Sequence, residues 1–163
     1  MLLYHGSYTI IQTPNVEHSR DRLDLGTGFY LTNIYEQARN WAARFRYRNY
    51  PCIVNEFELD FDALQNKYHI KTFEFYDREW LHFSIRNREG QSVESYDIMI
   101  GGVANDKVFN TIELFQNGLI SEEETLGRLK YEKPNWQMCI RNQEILDNYL
   151  KYQGSEEVMN GSK

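Results

Sequence analysis

Apolar and polar positions along the chain switch between two periods, and the switches predict the elements. Leu2 to Ser7 reads as a short first strand ending in His5-Gly6, and Gly28 to Leu31 reads as a second. From Asn33 to about Arg46, Ile34, Ala38, Trp41, Ala42 and Phe45 recur at helical spacing, and Asn33 and Glu36 are placed like a capping-box variant. Ile53 to Leu59 alternates, with Ile53, Phe57 and Leu59 on one face of a third strand. Residues 60–69 form a polar, partly helical connector, and Ile70 to Phe75 is a weaker strand. Asp77 is placed to cap a helix bearing Trp80, Leu81, Ser84 and Ile85. Asp97 to Val103 is an apolar strand, where Gly101-Gly102 marks a bulge or a close backbone approach. Asn105 or Asp106 caps a helix with Val108, Ile112 and Phe115 on one face, closed by Gly118. Ser121 to Glu124 is a capping box for one more helix, Trp136 to Ile140 is another strand, and Asn142 caps a last helix through Tyr149 and Leu150.

Strands interspersed with helices over 163 residues predict a single α+β domain spanning residues 1–152. From Gln153 the composition turns polar, so residues 153–163 are expected to be a frayed, disordered tail. Thr13 to Leu25 and Arg86 to Ser95 read as loops.

Charge and composition narrow the chemistry. A net charge of −6 argues against a broad nucleic-acid footprint. One local basic run, Arg44-Phe-Arg46-Tyr-Arg48, alternates with aromatics. Its plain reading is a solvated helix end with cations near the C-terminus, with phosphate or RNA binding as the alternative. Two cysteines, Cys52 and Cys139, sit in apolar runs and read as buried free thiols of a reducing cytoplasm. His5, His18, His69 and His82 have no metal-ligand spacing, so no metal is expected. No signal peptide and no membrane span is indicated. There is no phosphate-binding loop, no dinucleotide fingerprint and no serine elbow; Gly26-Thr-Gly28 precedes a strand instead of following one.

What remains is a dispersed polar and aromatic set. Tyr30 and Trp41 lie eleven residues apart across the strand-to-helix corner that begins at Gly26-Thr-Gly-Phe-Tyr-Leu-Thr32. On that segment alone, core packing explains them better than a slot for a flat ligand.

Leu3-Tyr-His-Gly-Ser7, the Gly26–Thr32 corner and a late strand opening at Gln137 together resemble the His-Tyr-Glu class of ADP-ribosyltransferases, which includes diphtheria toxin and the poly(ADP-ribose) polymerases. Over residues 2–152 the chain looks more closely like a bacterial family of unknown function grouped with ADP-ribosyltransferase-like proteins. The Gln-Ala and Trp-Ala pairs after the corner, Tyr96-Asp97 and Ala104-Asn105-Asp106 carry that likeness.

The resemblance implies a split mixed sheet with flanking helices and NAD as co-substrate. It implies that His5 bonds a ribose hydroxyl, that the Gly6 backbone, next to Ser7, pairs with the nicotinamide carboxamide, and that Tyr30 and Trp41 wall the ring. Arg20 and Arg22 could meet the pyrophosphate. Two positions depart from the class. Gln137 stands where the class has glutamate, which removes a full negative charge worth on the order of 10²–10³ in rate, and Ala38 stands where the polymerases place a serine. Asp97, Asn105 and Asp106 are the candidate substitutes, although helix capping explains the last two.

The expectation is a cytoplasmic mono-ADP-ribosyltransferase, a toxin or modifier acting on a protein or nucleic-acid acceptor. The resemblance adds a small antitoxin-like protein partner. A second reading is an inactive relative that binds NAD, ADP-ribose or a protein, and a third is an RNA-acting toxin using His5 and tyrosines.

Overall fold

Four backbone layers follow from where the apolar faces point. The computed structural model describes residues 1–18, 24–91 and 95–159. Strands β1 (Leu2–Ser7), β3 (Ile53–Leu59) and β7 (Leu150–Glu157) form an antiparallel sheet in the order β1-β3-β7. Strands β2 (Phe29–Leu31), β4 (Ile70–Thr72), β5 (Ile98–Gly101) and β6 (Gln137–Ile140) form a second sheet, ordered β2-β6-β5-β4, in which only β4 and β5 run parallel. The chain is therefore α+β with two sheets in one domain.

The inner faces of both sheets share one core. Leu3, Phe57 and Leu59 from the first sheet meet Phe29, Leu31, Ile98, Ile100, Met138 and Ile140 from the second. Helix α6 (Gln143–Tyr149) and the short α2 (Phe61–Leu64) add Ile145, Leu146 and Leu64 to it. The far face of the second sheet, through Met99 and Cys139, is covered by α3 (Arg78–Arg88), α4 (Asp106–Gln116) and α5 (Glu122–Leu129). The far face of the first sheet, through Val54, is covered by α1 (Tyr35–Ala43), whose Ala38 and Ala42 lie one turn apart on its buried side.

Local chemistry sets most helix starts as the sequence predicts. The side chains of Asp77, Asn105, Ser121 and Asn142 accept bonds from the amides of Trp80, Val108, Glu124 and Glu144. The Gly101-Gly102 break is a close approach: a Cβ on Gly102 would lie 2.6 Å from the Tyr76 ring.

Three expectations are corrected. Helix α1 is not capped by Asn33; Ile34 is the N-cap residue without a side-chain bond, and Thr32 Oγ1 takes the Ile34 amide at 3.1 Å. The α-helical part of this segment also ends at Ala43, and a 3-10 turn, Arg44–Arg48, carries the chain to a left-handed Asn49. Residues 153–157 are not frayed, because β7 runs to Glu157 on the outer side of β3; residues 160–163 of the expected tail lie outside the described residues. Gln153 is the extra residue of a bulge between Tyr152, opposite Phe57, and Gly154, opposite Glu56.

Asn55, wholly buried in the middle strand of the first sheet, holds three segments. Its Oδ1 accepts from the Ile11 amide at 2.9 Å and from Ser155 Oγ at 2.7 Å, and its Nδ2 donates to Thr9 O at 3.2 Å. Asn55→Ala leaves those groups unpaired in the interior, at a cost on the order of 2–3 kcal/mol. Urea unfolding is expected to move to a lower midpoint with an unchanged slope; an unmoved midpoint contradicts this role.

Candidate functional site

Strands β1 and β2 belong to different sheets and touch at a single rung. Tyr4 N donates to Thr32 O at 2.8 Å, and Thr32 N donates to Tyr4 O at 2.9 Å. One rung further along, Gly6 would face Tyr30, but the described residues contain no such bridge. In an antiparallel strand, residues two apart direct their N–H and C=O to the same side. The Gly6 backbone groups therefore point into the fork between β1 and β2 without a ladder partner.

His5 closes part of that fork. Its Nδ1 lies 2.6 Å from Tyr30 O. A carbonyl oxygen only accepts, so Nδ1 carries the proton and the neutral ring leaves Nε2 with its lone pair. The ring stacks on Phe29, with centroids 4.4 Å apart and planes 23° apart. Burial pushes the imidazole pKa below its ordinary 6.5, and the bond to the Tyr30 carbonyl opposes this only in part.

Gly6 is also fixed from outside the sheet. A Cβ there would sit 2.3 Å from Ala38 O and 2.9 Å from Ala42 N, so α1 can seat on β1 only over a glycine. Ser7 is buried, and its Oγ accepts from the Thr9 amide at 3.2 Å, which turns the chain out of β1.

The Tyr30 ring lies on the opposite face from His5. Tyr30 pairs with Cys139 and packs into the core under α3, whereas Phe29 and Leu31, its neighbours on the strand, face the core between the sheets. Its hydroxyl donates to Gly26 O at 2.5 Å and accepts from the Leu25 amide at 3.2 Å, closing the loop that leads into β2. Burial, then the neighbouring Cys139 and Asp24, hold the phenol far above its ordinary value, and burial lifts the Cys139 thiol to about 12. Gly28 belongs to the same corner: a Cβ on it would meet Ile140 O at 2.6 Å.

Gln137 is half-buried and pairs with Gly101. Two residues before Cys139, it shares Tyr30's face as a diagonal neighbour, a separation of roughly 7–8 Å. No hydrogen bond joins its amide to another described residue. Trp41 is 44% exposed, with the Arg44 guanidinium 4.6 Å from its ring centre and no ring contact with Tyr30. The expected set therefore divides: Gly6, Tyr30 and Gln137 share one side of the fork, His5 reaches it through a backbone oxygen, and Trp41 lies on the outer surface of α1.

The candidate acids are committed elsewhere. Asp97 Oδ2 accepts from the His69 amide at 2.8 Å and Oδ1 from Asn142 Nδ2 at 2.9 Å, tying the starts of β4, β5 and α6 together. Asn105 caps α4, and Asp106 is its first residue, where a carboxylate favours the helix dipole. Arg20 and Arg22 lie outside the described residues.

Sequence reasoning missed Asp24. It is buried, takes Arg88 Nε at 2.5 Å and the Ala104 amide at 2.7 Å, and its carbonyl accepts from Asn87 Nδ2. This clamp joins the Gly26 loop to the Ala104 segment, and an acidic residue one position before an apolar Leu25 was its only signal. A shallow concavity of about 500 Å³, lined by Glu58, Asp60, Asp62, Tyr149 and Lys151 among others, lies at the Leu59 end of β3. None of the candidate site residues lines it.

Residues 1–152, which hold the fork, the corner and the Asp24 clamp, match the family described as "Protein of unknown function (DUF3990)". The chain belongs to the DUF3990 family. No curated protein and no solved structure matches it. In this DUF3990 protein the His5-Gly6 pair and the Gly28-Phe-Tyr30 corner thus occur inside the family's matched region. No helix is long and apolar enough to cross a membrane, and no group of ligands that could hold a metal ion occurs, both among the described residues.

Nitrogen NMR tests the His5 assignment. The His5 ring is expected as the Nδ1–H tautomer, with a pKa below 6.5. Stability linked to this ring is present above its unfolded pKa, since the unfolded chain alone takes up the proton as pH falls through about 6.5. A proton on Nε2 at neutral pH, or a pKa above 6.5, contradicts the assignment.

Proposed function

We propose that this DUF3990 protein binds NAD at the β1–β2 fork and transfers a single ADP-ribose unit to a macromolecular acceptor, slowly. The observation that carries the reading is the fork itself. A buried N–H and C=O of Gly6 lack a ladder partner, and beside them a neutral histidine is anchored by one nitrogen with the other left as an acceptor. A primary carboxamide offers one donor and one acceptor edge and suits the Gly6 groups. A ribose hydroxyl suits His5 Nε2.

The likeness of His5-Gly6-Ser7 and of the Gly26–Thr32 corner to the ADP-ribosyltransferases favours NAD over other ligands with a carboxamide. Tyr30 in this reading keeps the corner in shape and lends the fork its carbonyl. Gln137, with a free amide on the same side, orients a hydroxyl by hydrogen bonding but supplies no charge to a developing oxocarbenium ion.

The second reading is a protein that binds NAD without transferring from it. Gln137 favours it, as does the engagement of both Asp97 oxygens.

Incubation with radiolabelled NAD and cell lysate separates the two. Label on a macromolecule, abolished by His5→Ala, supports transfer. Gln137→Glu is then expected to raise the rate by on the order of 10²–10³, since it restores one preorganised charge. Saturable NAD binding without label transfer favours the second reading. Absence of NAD binding by calorimetry, with the fold intact, removes both.

A further inference from the structure

A second feature lies on the outer side of α1. The 3-10 turn Arg44–Arg48 has about three residues per turn, so Arg44 and Tyr47 lie on one line and Phe45 and Arg48 on the next. Trp41, one turn earlier, extends the first line, with the Arg44 guanidinium over its ring at 4.6 Å. The line therefore reads aromatic, cation, aromatic at intervals of about 6 Å. Tyr47 at its end is 92% exposed and touches no other ring. Beside it, Tyr8 packs against Phe45 and Tyr50, each at 5.3 Å between centroids, with Tyr8 and Tyr50 both half exposed.

Core packing explains Phe45, which leans on Ala38, Ala42 and Val54. A favourable helix end explains cations at Arg46 and Arg48. Neither explains why Trp41, Tyr47, Tyr8 and Tyr50 stay exposed at a turn whose three arginines form no ion pair with any described residue. Glu36 on α1 pairs with Arg39, and Glu156 on β7 is engaged by the Tyr35 hydroxyl. In a chain of net charge −6, this patch is a local reversal of sign.

We propose that Trp41, Arg44, Tyr47 and Tyr50, with Arg46 and Arg48, form a docking platform for single-stranded nucleic acid. Flat aromatic faces take unstacked bases, Arg44 lies between two of them, and Arg46 and Arg48 on the neighbouring lines of the turn add charge for phosphates. A duplex hides the base faces and so fits poorly. An acidic peptide would use the charges but leave the rings idle. Tyr8 follows Ser7 directly, so the platform adjoins the His5-Gly6 end of β1. Binding does not depend on NAD; where the NAD reading also holds, a strand docked here is the acceptor class nearest the fork.

The test is fluorescence anisotropy with labelled oligo(dT) and oligo(U) of about 20 nucleotides and a duplex control, without NAD, at about 50 and 200 mM salt. Both single strands are expected to bind at least about tenfold more tightly than the duplex, and the tighter of the two identifies the preferred sugar. Tyr47→Ala is expected to weaken binding about tenfold. Arg46→Glu and Arg48→Glu are each expected to flatten the logarithmic salt dependence by about 0.7 per lost phosphate. His5→Ala is expected to bind as the unaltered protein does, which keeps this test separate from that of NAD transfer. No anisotropy change at the lower salt overturns the proposal. So does binding insensitive to Tyr47→Ala and Arg46→Glu, or competition by polyglutamate as strong as by unlabelled oligonucleotide.

Discussion

The rung between Tyr4 and Thr32 is the constraint on which the rest of the arrangement turns. Two hydrogen bonds fix where the sheets meet, and on either side the strands answer to different neighbours. Strand β1 is held by β3 and by α1, which presses on Gly6 too closely for any side chain. Strand β2 is held by β6, by the Tyr30 hydroxyl closing its own leading loop, and by Asp24 fastening that loop to Arg88 and Ala104. Because these holds diverge, the next rung is not made, and Gly6 and Tyr30 face each other across a gap. The unpaired backbone at the fork is a consequence of two sheets sharing one bond pair, and His5 occupies the gap on the Phe29 side.

That position determines what the imidazole can do. Burial against Phe29 penalises the cation more than the bond to Tyr30 O rewards it, so the ring stays neutral near pH 7. A neutral ring with Nδ1–H donated inward presents an acceptor, which suits a hydroxyl and repels an anion. The aromatic hydroxyl of Tyr30 is likewise spent inside the protein, and the thiol of Cys139 behind it is too basic to act as a nucleophile. The corner thus offers hydrogen-bond acceptors but neither a free phenol nor a nucleophilic thiol.

Features governed by neighbours in sequence were legible before the structure. Asp77, Asn105, Ser121 and Asn142 cap helices because a short polar side chain bonds an amide two or three residues on, which needs no tertiary context. Strand β7 was not legible: it is an edge strand, and Lys151, Gln153, Glu156 and Glu157 are what an edge carries to discourage further pairing, so it reads as a tail. The candidate site was legible as a list and not as a geometry. His5 and Tyr30 do meet, but only through a backbone oxygen, because Phe29 and Tyr30 necessarily point to opposite faces of β2. Asp97 looked like a spare acid because its two partners, the His69 amide and Asn142, lie far from it in sequence.

The distribution of charge around the fork bears on how far its chemistry can go. A leaving nicotinamide generates positive charge on the ribose, and a carboxylate held close is the usual answer. Here the buried carboxylate nearest the corner, Asp24, is neutralised by Arg88 and the Ala104 amide, and the Tyr30 ring belongs to the same cluster. Each Asp97 oxygen already accepts a hydrogen bond that ties β4, β5 and α6 together, and Gln137 is uncharged. What remains on the fork side is carbonyl oxygen and a neutral amide, whose oxygens carry only partial negative charge. Such groups suit the orientation of a sugar better than the stabilisation of a cation, so under the proposed reading binding is better supported than turnover. In the proposed transfer, a carboxylate at position 137 would keep an acceptor for a hydroxyl and add the negative charge that the amide lacks.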